Sequence, residues 1–268
     1  AVAQDGSTRY LQEGRLGYEE YAAKGFQLWG LDTRRASLAE PFEELPVFGV
    51  DVPFDRRDPR LLGAHNYVVT ESYALDGMEF GWDLVSDLDG RPERYTDVIS
   101  ANFAQRIYEV QQRRWEQTGI LTARTEHQLD GAPYFVYDTI YTDGYAWNTI
   151  TESGKYVPEF AAVAVKGAFG LWALWDTPYT DLLLDAVGTL YDPEKGFYEG
   201  LYEDGRGPIE AFTANNNGIT LATLLYKTEG PLVKPGDVTG PWLRRMNDEF
   251  AGDSKCTQAR RRVDYAVR

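Results

Sequence analysis

The chain has 268 residues, with 42 Asp and Glu against 27 Lys and Arg, and a formal charge of −15. At 43% hydrophobic residues it is no disordered acidic tail, and a chain of this length should bury about three quarters of the surface it exposes when unfolded. Nucleic acid is disfavoured as a partner, since counterion-release binding needs basic clusters and the one dense cluster is Arg260, Arg261 and Arg262; no apolar run approaches the roughly 20 residues of a membrane span.

In chain order, the first expected helix covers 10–28, through Tyr10, Tyr18, Tyr21, Ala22 and Phe26, weakened by Gly14, Gly17 and Gly25. Residues 66–82 read as a short helix and turn. Residues 94–118 place Val98, Ile99, Phe103, Ile107, Val110 and Trp115 three or four apart, the spacing of one helix face, with Arg106, Glu109, Arg113 and Glu116 opposite. The best strand signal is Tyr134–Tyr137 followed by Ile140-Tyr141, with Thr142-Asp143-Gly144 as a hairpin turn.

Residues 158–175 are apolar over most of a helical circumference, which predicts an inner helix with Pro158 in its first turn. Thr177-Pro178 opens a second helix carrying Leu183, Val187 and Leu190, close enough to form an antiparallel hairpin with the first. A last helix is expected at about 215–227, capped by Asn215, Asn216 or Asn217. The connections 30–65, 119–157 and 191–214 are long, acidic and aromatic, as functional loops are. Hairpins of inner and outer helices predict a mainly all-α fold, an α/α toroid with long loops and one short β-hairpin. The helices are fewer than a closed ring requires, so the expected ring is incomplete or some helices lie unrecognised in the connections. The expected division is a toroid domain over 1–235 and a tail of unknown role over 236–268.

Aromatic composition leans the same way: 18 Tyr and 7 Trp against 12 Phe. Tyr and Trp pair a flat apolar face with a polar handle and suit sugar rings, although large α-rich cores also use them freely. Cys256 stands alone, which excludes an internal disulfide framework. The opening Ala1-Val2-Ala3-Gln4 resembles the remnant of a signal-peptide cleavage site and hints at export.

The run Phe197–Gly205, then Phe212–Ile219 and Leu224–Lys227, resembles the C-terminal part of a bacterial family known as domain of unknown function 3131. Phe48–Pro53, Asn66–Tyr73 and Lys166–Gly170 look like the same family. The family in turn resembles the six-hairpin glycosidases. That resemblance implies an (α/α)6 toroid, a periplasmic or secreted protein, and action on a glucan or exopolysaccharide, with β-1,2-glucan among the substrates of its relatives.

Glycoside hydrolysis needs one carboxylic acid to protonate the leaving oxygen and a second carboxylate to activate water or attack carbon. The acid should lie among apolar or aromatic neighbours, where desolvation lets it keep its proton. Glu71, in Val68–Leu75, meets that filter. So do Glu79, between Met78 and Phe80, and Glu126, just ahead of Tyr134, Phe135 and Tyr137. The alternative role for each is a helix cap or an ion pair. Tyr73, Trp82, Tyr134 and Trp147 are candidate stacking platforms, and Glu199, Glu203 and Asn215 candidate sugar contacts beside the last helix. Asp51, Asp55, Arg56, Arg57 and Asp58 read as a structural ion-pair loop.

His65 and His127 lie too far apart for a zinc pair, no P-loop, dinucleotide fingerprint or serine elbow is present, and Asp87-Leu88-Asp89-Gly90 lacks the last acidic ligand of a calcium loop. The reading is a glycoside hydrolase-like protein with no metal or cofactor, whose partner is an oligo- or polysaccharide. Its rival is a non-catalytic polysaccharide-binding or scaffold subunit of a synthesis or export machine.

Overall fold

The computed structural model describes residues 15–28, 33, 36, 39–62, 64–82 and 96–233. The expected tail and residues 10–14 of the first expected helix lie outside them.

Helix α5 (Val165–Leu174) organises the structure. Eight of its ten residues, Val165 to Leu171 and Ala173, are buried, as an all-round apolar helix requires. It packs against α3 (Glu71–Phe80), α6 (Pro178–Val187) and α7 (Ala214–Glu229). Close approach to α3 depends on Gly170, where a Cβ would come within 2.9 Å of the Ala74 methyl. Thr177 caps α6 in a reciprocal box with Thr180, with Pro178 at the first turn, and the short link to α5 makes the expected antiparallel hairpin. α4 (Thr96–Thr118) buries Phe103, Ile107 and Val110 on its predicted face. α1 (Tyr18–Leu28) packs on α3, and α2 (Pro59–Leu62) is a single turn.

The fold is nevertheless not an all-α toroid. Of the described residues 43% are helical and 20% lie in strands, distributed over seven helices and several small antiparallel sheets. The expected loop 30–65 holds a hairpin of two six-residue strands, β1 (Phe42–Val47) with β2 (Val50–Asp55), which turns at Phe48 and Gly49, both at positive φ. Pro46, Pro53 and the glutamates of β1 obscured its alternation, but Val47, Val50 and Val52 are buried beneath it.

The expected loop 119–157 holds a sheet of β3 (His127–Gln128), β4 (Phe135–Asp138) and β7 (Thr149–Ile150), and a hairpin of β5 (Tyr141–Thr142) with β6 (Tyr145–Ala146). The turn at Asp143-Gly144 is where it was expected, but the strand before it is β5. β4 pairs instead with β3 and β7.

The expected helix 158–175 is also shorter than its apolar run. Pro158–Phe160 makes one 3-10 turn, and Ala162–Ala164 forms a strand, β8. Its backbone is claimed from two sides. It pairs with β11 (Gly200–Tyr202), reached through a short hairpin of β9 (Tyr191–Asp192) with β10 (Gly196–Phe197), while Ala164 N donates to Ala123 O at 3.0 Å. Gly200 permits this pairing, since a Cβ there would sit 2.8 Å from Val163 O. β12 (Pro208–Ile209) completes that sheet.

Buried charges tie the layers together. Lys24 meets Asp76 at 2.8 Å, both side chains nearly inaccessible. Arg124 bridges Asp138 at 3.0 Å and Glu203 at 2.8 Å, and Arg114 reaches Glu203 at 2.7 Å. Burial alone would raise the Glu203 carboxyl, but the two guanidinium groups outweigh it and hold it below the usual carboxylate range. As expected, Arg57 pairs with Asp55 and Glu40 and Arg60 with Asp58, a structural ion-pair loop.

Glu20 stitches α1 to the chain entering β1, accepting from Gly17 N at 2.6 Å and Glu40 N at 3.2 Å. Its burial, opposed only in part by those amides, pushes its carboxyl from 4.5 up to about 7. Both states are protonated below the lower value, so the contribution of Glu20 to stability is whole there and is lost as pH rises through the higher one. The loss is on the order of 3 kcal/mol. Urea unfolding should therefore show wild-type stability falling more steeply between those pH limits than that of Glu20→Gln; parallel pH profiles would refute the assignment.

Candidate functional site

Three helix N-termini meet at one point. Glu71 is the first residue of α3, Lys166 the second of α5 and Asn215 the second of α7. The Lys166 ammonium forms an ion pair with the Glu71 carboxylate and donates to Asn215 Oδ1 at 2.6 Å, while Asn215 Nδ2 faces Glu71 Oε1 at 3.4 Å. Glu71 and Lys166 are buried, whereas Asn215 is exposed and opens the cluster to solvent. The site is held from below. Thr213 caps α7 by accepting from Asn216 N at 3.0 Å, and Asn216 Oδ1 accepts from Lys166 N at 3.1 Å, locking the starts of α5 and α7 together. Converging helix dipoles favour negative charge here, and Glu71 supplies it.

Glu126 approaches from the segment that leads into β3. Arg124 O, two residues earlier, accepts from Thr70 N at 3.1 Å and Thr70 Oγ1 at 2.8 Å, which ties that segment to the residue just before Glu71. Burial raises the Glu126 carboxyl above the usual range, and the nearby charge of Glu71 pushes it further in the same direction. Lys166 and the hydroxyls of Tyr67 and Tyr18 act the other way without reversing the shift. Around it, Arg15 donates to Tyr67 Oη at 2.8 Å, Tyr18 meets Tyr67 edge to face at 5.8 Å, and Tyr67 stacks on Tyr137 at 4.7 Å.

The Tyr18 and Tyr67 hydroxyls face the Glu126 carboxyl, but none of the described donors closes a well-formed hydrogen bond to its buried Oε2, and Arg15 Nε is buried without a partner among the described residues. Buried polar atoms left open in one place mark where a polar ligand or water would bind.

Of the residues expected from sequence, Glu71, Glu126 and Asn215 come together. Glu199 lies behind them, buried, accepting from the Thr213 hydroxyl and from Gln128 N at 3.2 Å; it supports the start of α7 rather than facing solvent. Glu79 is two turns along α3 from Glu71, bonded by Tyr21 Oη at 2.9 Å and raised by its own burial. Glu203 belongs to the arginine network, which leaves no free carboxylate for sugar. Tyr73 and Trp82 are not stacking platforms. Tyr73 is buried in the core, and Trp82 donates its indole N–H to Tyr73 O at 3.1 Å and packs 6.0 Å from Trp175. Tyr134 is exposed between β3 and β4. The Arg114 guanidinium covers Trp147 at 4.6 Å. Asp87–Gly90 lies outside the described residues, among which no group of three metal-ligating side chains occurs and no helix is long and apolar enough to cross a membrane.

Lys166, Arg15, Tyr18 and Tyr67 were missed. Lys166 left a trace, since it is the one charged side chain between Phe160 and Trp175. A charge in such a run is tolerated only beside a buried partner of opposite sign.

Residues 1–230 match the family described as "Protein of unknown function (DUF3131)". The chain belongs to this family. No curated protein and no solved structure matches it. The cluster of Glu71, Glu126, Lys166 and Asn215 is thus a site within the region of this DUF3131 protein that defines its family.

Removing one partner of a buried pair strands the other charge, at a cost of about 3–5 kcal/mol. Lys166→Met should lower the stability measured by urea unfolding by that order. The double variant Glu71→Gln/Lys166→Met should recover much of it, and additive losses would show that the pair is not coupled.

Proposed function

We propose that this DUF3131 protein is a glycoside hydrolase acting on a bacterial glucan or exopolysaccharide in the periplasm or outside the cell. One observation carries the reading: a buried carboxyl group, Glu71, and a half-buried one, Glu126, lie close enough to influence each other and occupy unlike surroundings. Glu126 is raised by burial and by Glu71, so it is suited to hold a proton; Glu71 stands against an ammonium and three helix N-termini.

In this scheme Glu126 donates its proton to the glycosidic oxygen as the C–O bond breaks. Water adds to the anomeric carbon, and its proton passes to Glu71. Lys166 and Asn215 orient Glu71, while Arg15, Tyr18 and Tyr67 offer donors and ring faces to the sugar. The family's resemblance to six-hairpin glycosidases supports the reaction class by analogy and carries no claim about a ring of helices. β-1,2-glucan is the first linkage to try.

The second reading, a non-catalytic polysaccharide-binding subunit of a synthesis or export machine, draws on the same geometry. Glu71 is already engaged by both Lys166 and Asn215, an arrangement that needs no catalytic role to be satisfied.

Incubation with neutral β-glucans separates the two. Hydrolysis predicts release of reducing sugar at a rate that falls as pH rises through the Glu126 titration. Glu126→Gln should lower the rate about 100-fold or more with the fold intact by circular dichroism. Binding without turnover across the panel supports the scaffold reading.

A further inference from the structure

A separate cavity of about 430 Å³ opens over the β5–β6 hairpin and β7, lined by Asp143, Tyr145, Trp147, Asn148 and Tyr156 among others. Its size falls within the range of small-molecule sites. Two of its walls are aromatic rings presented to solvent, with Tyr145 70% and Tyr156 60% exposed. A third, Trp147, adopts φ +57°, a left-handed backbone that costs a bulky residue of order 1–3 kcal/mol. The surroundings impose that conformation: Trp147 N donates to Ile140 O at 2.8 Å, Arg124 Nη1 donates to Trp147 O at 3.1 Å, and Arg114 lies over the ring. The Trp147 indole N–H is buried and has no partner among the described residues.

The polar walls are equally fixed. Asp143 Oδ2 meets His65 Nδ1 at 2.7 Å, and Asn148 donates to Thr142 O at 3.3 Å. No lysine or arginine lines the cavity. The guanidinium groups beside Trp147, on Arg114 and Arg124, are already paired with Glu203 and Asp138.

We propose that this cavity is a second glycan-binding site, selective for neutral sugars, that holds a polysaccharide away from the carboxylate pair. Exposed rings and an amide and carboxylate rim match the alternating apolar faces and hydroxyl edges of a pyranose. A carboxylate in the lining with no lysine or arginine beside it there disfavours polyuronates. One row of rings spans the space between the two sites. His65, bonded to Asp143, lies 5.7 Å from Tyr137, which stacks on Tyr67 beside Glu126. The inference deepens the reading that the chain handles a polysaccharide, and it does not depend on turnover.

The test uses the full chain, wild type and Tyr145→Ala/Tyr156→Ala, in affinity electrophoresis through gels containing soluble β-1,2-, β-1,3- or β-1,6-glucan, with polygalacturonate as the anionic arm. Both tyrosines are exposed, so melting temperature should be unchanged. The expected result is wild-type retardation by at least one neutral glucan and not by polygalacturonate, with affinity about tenfold weaker in the double variant, as two modest ring contacts would give. Hydrolysis of a short chromogenic glycoside, if wild type shows it, should be the same in both. Wild-type binding lost in the double variant without any hydrolysis would sustain the second site while overturning the hydrolase reading. Equal retardation of both proteins, no retardation of wild type, or preference for polygalacturonate would overturn the second site.

Discussion

The ion pair between Lys166 and Glu71 is the constraint around which this molecule is arranged. Lys166 is the one charged residue of an otherwise apolar helix, and the carboxylate that balances it belongs to a different helix. Meeting that demand brings the first turns of α3 and α5 to one point, and Asn215 brings the first turn of α7 to the same place. The approach is possible only because α5 presents small residues at its contacts, Gly170 against Ala74 of α3 and Gly167 against Ala123 O of the segment ahead of β3. A buried pair of this kind contributes little net stability, since desolvation offsets attraction. Its effect is on specificity of packing: any register of α5 that separates the two charges leaves both unpaired.

The same logic recurs around Arg124. Its side chain neutralises Asp138 from β4 and Glu203 from the turn beyond β11, while its carbonyl holds Thr70. One residue thus connects the small sheets to the helical layer and sets where Glu126, two positions on, can reach. The carboxyl pair is assembled from α3 and from a strand-like segment, so neither member could be positioned without the sheets that the loops contain.

Among the described residues, much of the Tyr and Trp excess that suggested sugar stacking is buried or half-buried packing. Tyr108, Tyr179 and Tyr73 are buried, and the Tyr179 hydroxyl reaches Thr122 O across the core. A long flat side chain with a polar end can span layers and satisfy a carbonyl at the far side, which explains its use where sheet and helix alternate. The rings left facing solvent are few and local, Tyr134, Tyr145, Tyr156 and Tyr191 among them.

Helical periodicity was legible wherever one face is buried: α4, α6 and α7 lie where their spacing puts them, and Thr177-Pro178 marks a real start, whereas Pro158 opens only a 3-10 turn and the helix expected there begins at Val165. Glu71 and Glu126 were legible as acids in apolar company. The strands were not, because pairs of two to six residues carry almost no periodic signal and their hydrogen bonds lie with distant segments. Nor could composition reveal which acid would meet an arginine, as Glu203 does, or lie behind a helix start, as Glu199 does. Sequence alone determines local preferences, the identity of charged residues in apolar runs and membership of a family. Which buried charge meets which partner depends on atoms brought together from 50 to 150 positions apart, as Lys166 with Asn215 and Glu71 with Asn215 show. Only the packed structure decides that, because desolvation and Coulomb attraction act through space and not along the chain.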